Sequence, residues 1–174
     1  MVLAPLFAAV AGLLALAGLL KLRSPAHGSG DYPAPGSALG FSAARVVGAM
    51  ELSLGAVALA YPTRLVAGLL AAGFAAFAAY TIRVLASREA EGDCGCFGES
   101  SGSVGPGHVV LDLACAGVAL AAAIEPPRAI AGILADAPPV GLALAAGVAA
   151  AVYGLYLAYT ALPSAWAAYA GARR

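Results

Sequence analysis

The chain has 174 residues, of which 62% are hydrophobic and only 10% charged, and its formal net charge is zero. A water-soluble domain carries about 25% charged residues, so this chain lacks the polar surface to live in water and its main solvent is lipid. Zero net charge without a basic run excludes a nucleic-acid-binding surface, and three cysteines are too few for the disulfide framework of a secreted domain.

Val2–Leu20 is a run of nineteen residues without a charge, and about 20 apolar residues cross a bilayer core. No basic residue separates Met1 from the run, and the run is long for the apolar region of a signal peptide. It therefore reads as a first transmembrane helix that ends at Lys21 and Arg23. Ser24–Ala44 is rich in Pro, Gly and Ser, which break regular structure, and reads as a loop with His27 and Asp31 solvated. Val46–Tyr61, apolar except for Glu51 and Ser53, is the second helix, with Ala43, Ala44 and Arg45 available to lengthen it. Tyr61-Pro62 closes it, and Leu65–Ala86 follows so soon that helices two and three form an antiparallel hairpin. Arg83 lies just inside the far end of helix three.

Ser87–Gly107 is a polar loop holding Asp93-Cys94-Gly95-Cys96-Phe97-Gly98. His108–Ile124 is helix four, containing Asp112 and Cys115, and Glu125-Pro126-Pro127-Arg128 stops it. Ala129–Leu134 is a brief interfacial turn. Pro138-Pro139 opens helix five, Val140–Leu162, and the tail Pro163–Arg174 carries Trp166, Tyr169, Arg173 and Arg174, a suitable interfacial anchor. Tyr153, Tyr156 and Tyr159 fit either a quinone-sized groove or, more simply, packing and an aromatic belt. The expected fold is all-α: one integral-membrane domain over residues 1–174, a polytopic bundle with a four-helix core and a fifth, C-terminal transmembrane helix.

Five spans place the Cys-Gly-Cys loop on the same side as Lys21, Arg23, Arg45, Arg83, Arg88, Arg173 and Arg174, against only Arg64 and Arg128 opposite. By the positive-inside rule that side is cytoplasmic, although a role in maturing an exported client suits the outer face. Glu51 lies six residues past Arg45, and Asp112 four past His108, which at 1.5 Å per residue puts both acids roughly 6–9 Å below that one face. Carboxylates facing lipid are costly and normally turn into a bundle and pair, with Lys21, Arg45 or Arg83 available. Such a cluster either fixes helix register or handles protons. His108, Asp112 and Cys115 recur at i, i+4 and i+7 and share one helix face.

The cysteine pair is the most chemically pointed feature. A disulfide closed across one residue stabilises little by chain entropy, whereas strained, exposed disulfides are the easily reduced, catalytic kind. Thiol–disulfide exchange is thus a better account than bracing. Two soft thiolates with His108 also suit Cu(I) or Zn, though Cys94, Cys96 and His108 are too few for a closed structural zinc site.

The Asp93-Cys94-Gly95-Cys96-Phe97-Gly98 string after the third span, the Lys21-Leu22-Arg23 exit from helix one and Glu51-Leu52 in helix two together resemble the MauE family of membrane proteins, within the broader MauE/DoxX group. The resemblance covers about Leu3–Ile124, with residues 125–174 as an added helix and tail. It implies a multi-pass protein of the bacterial inner membrane that assists maturation of a disulfide-containing client, the methylamine dehydrogenase small subunit or another, with a thioredoxin-like partner. On that reading Cys94 and Cys96 exchange electrons with a partner, Glu51 and Asp112 manage protons or hold the site, Cys115 is a third thiol, and Lys21, Arg45 and Arg83 are charge partners. Rival readings are a metal-handling membrane protein and a structural subunit of a membrane redox complex.

Overall fold

Alanine and leucine, which are strong helix formers, fill the long uncharged runs, and the structure, a computed structural model, folds them into helices, six of them among the described residues. It describes residues 2–23, 37–86 and 105–161 together with Tyr169, with side chains from residue 45 onward in the second range. The helices are α1 (Leu3–Arg23), α2 (Ser37–Ala60), α3 (Arg64–Ala86), α4 (Pro106–Ile124), α5 (Ile130–Asp136) and α6 (Pro138–Thr160). No strand occurs among the described residues. The segment holding Cys94 and Cys96, and most of the tail with Trp166, Arg173 and Arg174, lie outside them.

Four of these helices, α1, α3, α4 and α6, are long and apolar enough to cross a membrane. Prolines set several of the boundaries. Pro106 and Pro138 stand in the first turns of α4 and α6, where a missing N–H costs nothing. Helix α2 begins at Ser37, within what reads in the sequence as loop. Pro35 is the last proline of that stretch, and nothing after Gly36 prevents helix. The expected interfacial turn is α5, seven residues long. It folds back tightly on α6: a side chain at Gly141 would run into the backbone of Leu134.

Helix α1 is the axis. In its apolar window 56% of residues are buried, against 6% in α6, so the first helix is the most enclosed by protein and the last turns most of its residues outward. The core packs Phe7, Val10, Leu13 and Leu14 of α1 against Leu70 and Phe74 of α3 and Ala119 and Ala122 of α4. Outward-facing Met50, Leu65, Val110 and Ile124 are exposed, as expected of a surface bathed in lipid.

The three residues Tyr61-Pro62-Thr63 join α2 to α3, yet the expected hairpin is not the main packing pair. Helix α2 packs chiefly on α1, and α3 on α4. The cause is a seam of small residues. Gly18 lies against the Gly48 carbonyl and the Leu52 amide, and a Cβ on Gly55 would come within 2.6 Å of the Ala11 carbonyl oxygen. Gly48 and Gly55 are seven residues apart, as are Ala11 and Gly18, about two turns in each helix. In lipid, where apolar burial supplies no drive between helices, such close backbone approach is what holds a pair together.

Candidate functional site

Five helices contribute to one polar cluster. It lies at the end of the bundle where α1 and α3 finish and α4 begins. From α1, the Lys21 ammonium donates to Glu51 Oε1 of α2 and lies 5.6 Å from the ring centroid of Phe77 on α3, close enough for a cation–π contact. From α6, the Tyr159 hydroxyl donates to Asp112 Oδ1 of α4 at 2.7 Å. Lys21, Glu51, Phe77, Asp112 and Tyr159 line a common cavity with about 20 Å³ open to the centre of a water-sized sphere.

Glu51 and Asp112 are 5% and 2% exposed. The two acids expected to converge with a basic residue therefore do so. Lys21 is the base, and its side chain is 11% exposed, whereas Arg45 and Arg83 are exposed. The glycine seam selects Lys21, because it brings the last turns of α1 directly onto Glu51. Each acid keeps one oxygen, Glu51 Oε2 and Asp112 Oδ2, without a hydrogen-bond partner among the described residues. Thr81 Oγ1 on α3 is a third such atom and does not line the cavity.

His108 shares the buried face of α4 with Asp112 and Cys115, as their spacing predicts. Its Nδ1 accepts from the Gly105 amide at 3.3 Å, and its Nε2 donates to the Tyr159 carbonyl at 3.1 Å. A carbonyl only accepts and an amide N–H only donates, so the pattern is that of the Nε2–H tautomer. Both ring nitrogens are thereby occupied in tying the start of α4 to the end of α6, and metal ligation would require one of these bonds to break. The His108 and Tyr159 rings also meet edge to face, with centroids 5.7 Å apart. Cys115 is a buried free thiol within side-chain hydrogen-bonding range of Tyr159. Among the described residues no group of three or more His, Cys, Asp or Glu side chains could hold a metal.

Tyr159 is the residue of the cluster that sequence reasoning did not separate from its neighbours. Tyr153 is exposed and Tyr156 half-buried, while Tyr159 is buried, so the three tyrosines do not share one groove. The one available signal was that a buried Asp112 requires a donor.

A family model described as "Methylamine utilisation protein MauE" matches residues 1–125. No curated protein matches the chain, and no solved structure does.

Proposed function

The chain belongs to the MauE family, and from that premise we propose that this multi-pass membrane protein of methylamine utilisation is a thiol–disulfide component assisting maturation of a disulfide-containing client. It sits in the bacterial inner membrane, with α2 as a fifth crossing beside α1, α3, α4 and α6. Cys94 and Cys96 exchange with a cysteine pair of a thioredoxin-like partner or of the client itself. A thiolate of one pair attacks the disulfide of the other, a mixed disulfide forms, and the second thiolate resolves it. One disulfide and two thiols stand on each side of the exchange, so electrons balance between the two proteins.

The observation that carries this reading is the position of the Lys21–Glu51–Asp112–Tyr159 cluster. In the chain, Cys94 and Cys96 fall between Ala86, the last residue of α3, and Gly105, which precedes α4, and the cluster lies at that end of the two helices. Each thiol that becomes a thiolate must hand over a proton, and a nearby cation favours the thiolate. A carboxylate pair with one ammonium meets both needs.

The test uses the full-length protein in lipid nanodiscs with a reduced dithiol protein as partner. Exchange should appear as a change in alkylatable Cys94 and Cys96, disappear in the Cys94→Ser, Cys96→Ser double variant, and slow in Glu51→Gln without loss of fold. A Cys94–Cys96 potential below roughly −300 mV, the range of structural disulfides, would overturn the reading.

A further inference from the structure

We propose that the cavity between Glu51 and Asp112 is a binding site for one internal water and one proton, which the two carboxyl groups share. The inference stands on the cavity and does not depend on the thiol chemistry proposed above.

Three observations lead there. Space comes first: about 20 Å³ is open to the centre of a water-sized sphere, and about 10–15 Å³ suffices for one ordered water if two to four polar partners surround it. Those partners are present. Glu51 Oε2 and Asp112 Oδ2 belong to residues at least nine-tenths buried that line the cavity, and each lacks a partner among the described residues. Lys21 has three N–H donors, only one of which is used on Glu51 Oε1.

The charge count supplies the proton. Two carboxylates and one ammonium leave one negative charge in a site walled by Leu13, Leu14, Phe74 and Phe77, and an uncompensated charge at such a place is expensive. Other elements do not remove it. On α4, His108 has both nitrogens committed elsewhere, and Cys115 brings no positive charge. On α6, the Tyr159 hydroxyl donates and remains neutral. Among the described residues Lys21 is the one cation that lines the cavity, and Arg45 on α2 and Arg83 on α3 do not. Calcium or magnesium would take six or more oxygen ligands, where two unpartnered oxygens line the site, and among the described residues no group of three His, Cys, Asp or Glu side chains could hold another metal. One proton brings the site to neutrality. One acid then donates through its O–H to the water, and the water donates to the other carboxylate. Like charges in one site share a proton for the same reason.

The experiment is infrared spectroscopy of the full-length protein in nanodiscs at neutral pH, before and after exchange into D2O. The wild type should show a protonated-carboxyl C=O band that shifts in D2O. Glu51→Gln and Asp112→Asn each leave one carboxylate against Lys21, so the band should vanish in both. Lys21→Met removes the cation that lines the cavity, so both acids hold a proton and the band should about double. A wild type without the band overturns the proposal with no variant needed. A band that survives in the Glu51→Gln, Asp112→Asn double variant overturns it too. If thiol exchange persists in a protein that lacks the band, this proposal fails and the exchange reading stands.

Discussion

The side chain that decides the buried cluster is Tyr159. Its hydroxyl is the only donor to Asp112 among the hydrogen bonds described. Tyr159→Phe keeps the ring and removes the donor, leaving a buried carboxyl with neither oxygen bonded to protein. The expected cost is about 1–3 kcal/mol, read as a lower thermal midpoint in detergent, while Tyr153→Phe, on an exposed residue, should leave the midpoint unchanged. Cys115 is 4% exposed and packed among core side chains. In the native protein it should be alkylated far more slowly than Cys94 or Cys96, and equal rates would mean that water reaches the middle of α4. Part of the cluster is legible without a structure. An acid inside an apolar run must turn inward and pair, which singles out Glu51 and Asp112. Their partners are not legible in the same way. Tyr153 and Tyr159 are six residues apart, about 240° around the helix, and only the rotation of α6 about its axis decides which one faces the core. Lys21, Arg45 and Arg83 all lie at suitable heights, and the choice among them is made by interhelical distance.

Interhelical distance is itself a property of the elements. The α1–α2 seam leaves no room for side chains at Gly18 or Gly55. Gly18→Ala should push the helices apart, at a cost of about 1–3 kcal/mol for overpacking, and should also loosen the Lys21–Glu51 pair. Gly117→Ala on α4, with nothing within 4 Å, is the matched control and should be tolerated. Unfolding midpoints of the two variants in the same detergent check both statements. Helix existence is well marked in the chain because the apolar runs are long and proline punctuates them. Helix starts are marked less well, as α2 demonstrates: after Pro35 and Gly36 no residue forbids helix, so tertiary packing rather than composition places its beginning. The preference of α2 for α1 over its sequence neighbour α3 is likewise invisible to periodicity. Alanine and glycine dominate every face, and a seam of small residues differs little from its surroundings.

For the whole molecule, the arrangement predicts sidedness. Thr63 lies in the α2–α3 connection and Ala86 at the other end of α3, so a cysteine at 63 and the native Cys94 should face opposite sides of the membrane. Labelling Thr63→Cys in a Cys94→Ser, Cys96→Ser background with a membrane-impermeant reagent, beside the wild type, tests this in intact cells. Label on both from the same side would mean that α3 does not cross. The same measurement gives the face of the Cys-Gly-Cys segment, on which charge distribution and the proposed maturation role disagree.

The family match ends at residue 125, but the hydroxyl on Asp112 and the carbonyl on His108 both come from residue 159. The stretch after the match, residues 126–174, therefore completes the hydrogen bonding of the matched region and is no mere appendage to it. A protein truncated after Glu125 would retain Glu51, Asp112 and every thiol. It would nonetheless lose two buried bonds at once and open the flank of α1 to lipid. Coexpressing residues 126–174 as a separate peptide should restore what truncation takes away, making the two pieces a split protein whose reassembly reports directly on the α1–α6 and α4–α6 contacts.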